Sequence, residues 1–245
     1  MKAMIFSAGK GTRLRPVTRN IPKALVEVGQ RTMLERSVTH CKTYGFHDII
    51  INVHHFSEKI KEYLRNHNHF NLNITVSDES HQLLDTGGGL KQALWFFTNN
   101  EPFLVRNVDV LSNLNLRRLY EFHLSQQALV TLVVRERPSS RYLLFDRENT
   151  LCGWENTKTK EIKLVRQAEK YKKLAFSGIQ IADRGISEYM PDDDVFSIMT
   201  TYLEAGKEKK IKAYIDRDSM WFDIGNLENL EKARTIISKN EGNAD

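Results

Sequence analysis

The sequence predicts an α/β fold: a Rossmann-like, mixed but mainly parallel sheet sandwiched by helices, with a smaller antiparallel lobe. Three observations predict it. Strand-like and amphipathic helix-like segments alternate through the first half of the 245-residue chain, the signature of βαβ units. In the second half short strand candidates follow one another across turn-like breaks, the pattern of an antiparallel extension. The length suits one domain with a lobe, expected over residues 1–245 with a first part at about 1–112 and a second at about 113–245.

Each element has a local reason. Lys2–Phe6 is an apolar strand, and Ala8–Pro22 reads as a long loop. Met33–Tyr44 is an amphipathic helix ended by Gly45. Asp48–Val53 is an apolar strand; Ser57 is expected to cap a helix with Ile60 and Leu64 inward. Leu72–Val76 is a further strand, Gly88–Phe97 a helix with Leu90, Ala93, Leu94 and Phe97 on one side, and Phe103–Val105 a strand entering Asn107-Val108-Asp109. Strand candidates then fall at Leu129–Arg135, Tyr142–Phe145, Leu151–Trp154, Glu161–Leu164 and Ala175–Ile181. Val195–Ala205 is a helix, Lys212–Ile215 a strand, and Asn226 caps a final helix carrying Leu230, Ala233 and Ile237. Ligands of open α/β sheets bind beyond the carboxyl ends of the strands. The loop after the first strand, Asp109 and the 221–226 stretch are expected there.

Composition excludes several classes. No repeat or low-complexity tract occurs, and the two cysteines, Cys41 and Cys152, make no disulfide framework. The longest apolar run, Ala128–Val134, is broken by Thr131 and falls far short of the roughly 18 residues of a membrane span. The amino terminus lacks a signal-peptide core, so a cytoplasmic protein without a membrane partner is expected. The net charge of +5 suits anionic partners, whether nucleic acid, phosphorylated metabolites or acidic lipid.

The glycines narrow that choice. Of 13, five sit in two short motifs, Gly9 and Gly11, then Gly87, Gly88 and Gly89. Residues 7–23 read Ser-Ala-Gly-Lys-Gly-Thr-Arg-Leu-Arg-Pro-Val-Thr-Arg-Asn-Ile-Pro-Lys. The dinucleotide fingerprint fails, because Leu14 stands where its third glycine belongs, and no P-loop occurs. The physics of both remains: small residues let backbone N–H groups approach an anion, and Arg13, Arg15 and Lys23 add charge.

The whole string, G-x-G-T-R-L-x-P-x-T-x-x-x-P-K from Gly9 to Lys23, resembles the signature loop of the sugar-1-phosphate nucleotidyltransferases. Four more motifs resemble that family in its order: Leu84-Asp85-Thr86-Gly87-Gly88-Gly89-Leu90, Asn107-Val108-Asp109, Phe176-Ser177-Gly178-Ile179 and Trp221-Phe222-Asp223-Ile224-Gly225. The Thr-Gly-Gly-Gly and Phe-Ser-Gly-Ile forms are most similar to N-acetylmuramate-1-phosphate uridylyltransferases, with short mannose-1-phosphate guanylyltransferases close behind. At this length the left-handed β-helix domain of some relatives is not expected. The sequence departs in Ser7-Ala8-Gly9-Lys10-Gly11, where Leu-Ala-Gly-Gly-x-Gly or Leu-Ala-Ala-Gly-x-Gly is usual, and in Ala168-Glu169-Lys170-Tyr171, which lacks the proline of the family's Glu-Lys-Pro.

The resemblance implies attack of a sugar-1-phosphate oxygen on the α-phosphorus of a nucleoside triphosphate, uridine triphosphate favoured, with pyrophosphate leaving. Such chemistry is mostly positioning and electrostatics, and magnesium is the implied cofactor. Ala8, Gly9, Gly11, Thr12, Arg13, Gly87 and Gly88 are the implied nucleotide contacts. Arg13 would meet the β- and γ-phosphates, Lys23 the charge between α-phosphate and sugar phosphate, and Asn107 and Gly178 the sugar side. Asp109 and Asp223 are the implied metal ligands. The sugar phosphate is expected to be N-acetylmuramate 1-phosphate or a hexose 1-phosphate such as mannose 1-phosphate, and the protein a monomer or homodimer without a nucleic-acid partner.

Other readings compete. Asp85-Thr86-Gly87 matches an aspartic-protease triplet, but that chemistry needs two such carboxylates. His54-His55 and His67-x-His69 lack zinc-site spacing, and read as surface residues. Trp95 and Trp154 read as packing residues, and Lys207–Lys212 as a solvated helix end. A guanylyltransferase, a phosphocholine-type cytidylyltransferase and an A-type glycosyltransferase are alternative enzymes, and a nucleotide-binding regulator is the non-enzymatic alternative.

Overall fold

The computed structural model describes residues 1–241; the last four residues of the expected domain lie outside the described residues. The elements are β1 (Lys2–Phe6), β2 (Glu27–Val28), β3 (Arg31–Thr32), α1 (Met33–Thr43), β4 (Asp48–Val53), α2 (Ser57–Asn66), β5 (Asn73–Asp78), α3 (Asp85–Ala93), β6 (Phe103–Asn107), β7 (Val110–Ser112), α4 (Leu116–Gln126), β8 (Val130–Arg135), β9 (Arg141–Phe145), β10 (Leu151–Asn156), β11 (Glu161–Leu164), β12 (Lys172–Ala182), α5 (Ile198–Ala205), β13 (Ile211–Ile215), β14 (Trp221–Asp223) and α6 (Leu227–Glu241). They form two compact units, Met1–Leu83 with Arg106–Leu114 and Ser219–Asp245, and Leu84–Val105 with Asn115–Asp218. No helix among the described residues is long and apolar enough to cross a membrane.

In the first unit β1 pairs in parallel with β4, and β4 with β5. Ala3, Met4, Ile5 and Ile49–Ile51 are fully buried, as continuous apolar strands of a covered parallel sheet must be. Parallel pairing brings Phe6, Val53 and Asp78, the carboxyl ends, to one edge. Thr32 caps α1, its Oγ1 accepting from the Glu35 N–H at 3.1 Å, and Gly45 takes the left-handed φ of 84° beyond its end. Ser57 is not a cap: Phe56, itself left-handed at φ 58°, precedes α2, and the Ser57 hydroxyl accepts from Ser80 Oγ instead. Ile60 and Leu64 face inward as expected. Two short antiparallel pairs complete the unit, β2 with β3 and β7 with β14. Leu14, Val26, Val28, Met33, Leu111, Ile224, Leu230, Ala233 and Ile237 pack as one core cluster. It draws on the signature loop, β2, α1, β7 and α6 together.

The second unit is largely antiparallel, as the turn-rich second half predicts: β8 pairs β12, β12 pairs β9, β9 pairs β10, and β10 pairs β11. Only β13 runs parallel to its neighbour β8 among the pairs described in this unit. Two helix starts differ from expectation. α3 begins at Asp85, so the triple glycine lies inside the helix. α5 begins at Ile198 rather than Val195, because Phe196 is pinned outside the helix: its N–H donates to Leu84 O and its carbonyl accepts from the Gly87 N–H. Trp95 is a correction: it is 60% exposed and is no packing residue.

Candidate active site

The first unit assembles the site from the carboxyl end of β1. The Ser7 N–H donates to Asn52 Oδ1 at 2.7 Å, and Asn52 Nδ2 donates to the buried Glu79 Oε1 at 2.7 Å. Side chains at the ends of neighbouring strands thus fix where the glycine loop leaves the sheet. Ala8 is buried. Gly9 faces open space, with nothing within 4 Å of where a Cβ would stand. Gly11 has φ 63°, a left-handed backbone that favours glycine, and a Cβ there would press on Lys23 Cβ and Thr18 Cγ2, each at 3.2 Å. Thr18 Oγ1 donates to the Gly11 carbonyl at 2.7 Å. A 3-10 turn over Thr12–Leu14 then sends Leu14 into the core and leaves Thr12 and Arg13 exposed. A buried leucine therefore anchors this turn where a dinucleotide-binding loop would carry glycine.

The β7–β14 pair places two carboxylates side by side. Asp223 stands opposite Val110 in the register, and the Ile224 N–H donates to the Asp109 carbonyl at 3.0 Å. The Val108 N–H donates to Phe6 O at 3.0 Å, which ties the Asp109 turn to β1. Lys23 Nζ forms an ion pair with Asp109 Oδ2, with side chains only 11% and 20% exposed. Asp223 Oδ1 accepts from the Gly225 N–H at 2.8 Å, and its main-chain carbonyl from Asn229 Nδ2 at 2.8 Å. Burial, and then the Asp109 charge, pushes the Asp223 carboxyl above the ordinary range, against the opposing pull of Lys23, the Gly225 N–H and Arg13. A Cβ on Gly225 would stand 2.8 Å from Asp223 Oδ1 and 3.1 Å from Arg13 Nη2. The missing side chain is what lets the guanidinium lie beside this carboxylate.

Arg13, Lys23, Asp109 and Asp223 are therefore brought together with the glycine loop, and Asn107 stands half-buried at the end of β6. Among the described residues no group of three or more His, Cys, Asp and Glu residues is gathered to hold a metal. Asp109 and Asp223 are the two carboxylates that could hold a hard dication, a number that leaves positions for phosphate oxygens and water.

Gly87, Gly88 and Gly178 belong to the second unit. A Cβ on Gly87 would strike the Phe196 ring at 2.3 Å, and one on Gly88 the Asp194 carbonyl at 1.9 Å. Their N–H groups donate to Phe196 O at 2.9 and 3.3 Å. Gly87 and Gly88 thus allow the close packing of α3 on the 194–196 segment. Gly178 has φ 74° and sits in a β12 bulge, where the register against β8 jumps between Phe176 and Gln180.

Sequence reasoning passed over Asn52, Glu79, Asn229 and Arg106. Arg106 had a signal, a charge closing the apolar run Phe103-Leu104-Val105 of a buried strand. His54, with Nδ1 2.7 Å from the Glu79 carbonyl, has a structural partner.

A family model described as nucleotidyl transferase matches residues 2–240. A mannose-1-phosphate guanyltransferase of Yarrowia lipolytica is 35% identical over 92% of this chain and 61% of its own length. An N-acetylmuramate alpha-1-phosphate uridylyltransferase of Caulobacter vibrioides is 38% identical over 44% of this chain and 45% of its own. The chain spans less than two thirds of the length of these curated relatives. The crystal structure of HddC from Yersinia pseudotuberculosis with GMP-PN has the same fold, with a TM-score of 0.78 at 23% identity over 96% of this chain and 99% of that one.

Proposed function

The chain belongs to the nucleotidyl transferase family, and we propose that it joins a nucleoside triphosphate to a sugar 1-phosphate, releasing pyrophosphate. One observation carries the reading: two cations and two carboxylates, Arg13, Lys23, Asp109 and Asp223, converge beside a glycine loop open at Gly9. The nucleophile, a sugar-phosphate oxygen, is already an anion, so the site needs no strong base. It must hold two polyanions together and stabilise a third as it leaves.

The residues divide that work. The open backbone at Gly9 admits phosphate oxygens to main-chain N–H groups. Arg13, exposed on its 3-10 turn, binds the phosphates that depart as pyrophosphate. Lys23 offsets the charge where sugar phosphate meets α-phosphate. As the oxygen bonds to the α-phosphorus, the bond to the bridging oxygen breaks and its electrons leave with pyrophosphate. Asp109 and Asp223 would hold magnesium, which when bound neutralises phosphate charge and aligns the triphosphate. Asn107, half-buried at the end of β6, is the proposed sugar-side contact within this unit.

Uridine triphosphate and N-acetylmuramate 1-phosphate are the favoured pair, on the Thr-Gly-Gly-Gly and Phe-Ser-Gly-Ile forms of the second and fourth motifs. The 35% identity to a mannose-1-phosphate guanyltransferase favours guanosine triphosphate with mannose 1-phosphate as the second reading. The test is a matrix of four nucleoside triphosphates against a panel of sugar 1-phosphates, scored by pyrophosphate release. One cell should dominate, and Lys23→Ala should lower its turnover by roughly 10²–10³-fold, the usual cost of removing one transition-state charge partner. No release in any cell, or undiminished release by Lys23→Ala, would refute the proposal.

A further inference from the structure

Arg106 is the largest fully buried side chain among the described residues, only 2% exposed. Its hydrogen bonds go to neutral groups. Nη1 donates to His40 Nδ1 at 2.7 Å and Nη2 to the Val110 carbonyl at 2.7 Å, while Nε meets no acceptor among the described residues. Burial pulls the Arg106 guanidinium below its ordinary range, opposed first by the Cys41 side chain, through charge and a hydrogen bond, and last by the charge of Asp109, three residues on. Burying a guanidinium without a bonded carboxylate is costly, so the arrangement calls for a reason.

The reason lies in what the guanidinium spans. His40 also approaches the Leu114 carbonyl, Nε2 to O 2.9 Å. Burial and the Arg106 charge hold the His40 pKa down at about 3. The neutral ring therefore accepts at Nδ1 and donates at Nε2. Three residues before it on α1, Ser37 Oγ donates to Val108 O at 3.4 Å. The face of α1 carrying Ser37, His40 and Cys41 thus holds the backbone of the Asp109 segment at Val108, at Leu114 and, through Arg106, at Val110. Asp109 is the residue enclosed by these ties.

We infer that Arg106, held by His40, is a positioning residue for the Asp109 carboxylate, presetting it for a divalent cation brought in with the triphosphate. The inference rests on the reading of Asp109 as a metal ligand. Groups that orient a metal ligand from behind typically change metal affinity by roughly 10- to 100-fold when removed.

The test compares four full-length proteins: wild type, Arg106→Lys, His40→Leu and His40→Asn. Lysine keeps the charge but cannot bond Val110 and His40 in one plane. Asparagine keeps an acceptor where Nδ1 stands, and leucine does not. Manganese binding is read by electron paramagnetic resonance with a non-reacting triphosphate analogue present. Nucleotide affinity in EDTA and the magnesium concentration for half-maximal turnover are measured beside it. Arg106→Lys and His40→Leu should weaken manganese binding by at least about tenfold and raise the magnesium requirement in parallel, with affinity in EDTA unchanged within about twofold. His40→Asn should restore most of the loss. A folded Arg106→Lys with wild-type metal binding would overturn the inference. If that variant does not fold, the His40 pair decides, and equal metal binding by Leu and Asn variants would overturn it as well. Wild type that neither binds manganese nor releases pyrophosphate would instead remove the functional reading beneath it.

Discussion

A single carboxyl group shows how much of the site is electrostatic design. Asp223 is pushed up by burial first and by Asp109 second, while Lys23, the Gly225 N–H and Arg13 pull the other way. A proton is therefore bound more tightly in the folded chain than in the unfolded one. The stability this contributes is full below the unfolded value of about 3.9 and is lost as pH rises through the raised folded value. Metal ligation needs the ionised carboxylate, so affinity for a dication should climb through the same window and then level off. Carbon-13 NMR of the Asp223 carboxyl in metal-free protein checks the cause directly. Asp109→Asn should move that titration to lower pH, and an unmoved titration would show that Asp109 is not the neighbour responsible. Much at this scale was readable beforehand, because phosphate chemistry demands particular residue types: Arg13, Lys23, Asp109 and Asp223 all fall in motifs whose chemistry is visible. Gly225 and Arg106 were not assigned roles, since each acts through one spatial neighbour, Arg13 or His40, that lies far away in sequence.

At the scale of elements, two glycine motifs that look alike on paper do opposite things. Gly9 faces open space, whereas Gly88 faces the Asp194 carbonyl at 1.9 Å and Leu84 Cβ at 2.9 Å. Gly88→Ala should therefore force α3 away from the 194–196 segment and destabilise the protein by about 1–3 kcal/mol, the range for overpacking. Gly9→Ala should leave the melting temperature nearly unchanged and lower turnover, because its methyl occupies the space an anion would enter. Thermal melts and pyrophosphate release on the two variants separate these outcomes; equal melts would mean that the packing at α3 is not what the glycine serves. Regular elements were readable where the hydrophobic period was long, as in β4, α1 and β12. The three-residue strand β14 was not, because Trp-Phe-Asp offers no period to count. The start of α2 was missed because Phe56 adopts a left-handed conformation that no residue preference announces.

For the whole molecule, the informative fact is that the first unit is built from three separated pieces of chain. Arg13 and Lys23 come from the first, Asp109 from the second and Asp223 from the third. Strand–helix alternation reveals an α/β class, but it cannot reveal this interleaving, which is decided by contacts between residues far apart in sequence, such as Lys23 with Asp109 and Asp109 with Ile224. One consequence is thermodynamic. A ligand that engages all three pieces opposes separation of any of them, and the folded state gains RT ln(1 + [L]/Kd), about 2.7 kcal/mol at a hundredfold excess over Kd. For a chain of this size that corresponds to a rise in melting temperature of roughly 5–10 °C. The triphosphate alone brings its charge to Arg13 and Lys23 but also to two carboxylates, and magnesium alone meets an Asp109 already paired with Lys23. The full shift should therefore need both, with either one giving less than half of it. Differential scanning fluorimetry of wild type and Asp223→Asn, with nucleotide, magnesium or both, tests this. The variant should lose the magnesium-dependent increment and keep the rest; equal shifts with and without magnesium in wild type would disprove the two-carboxylate metal site.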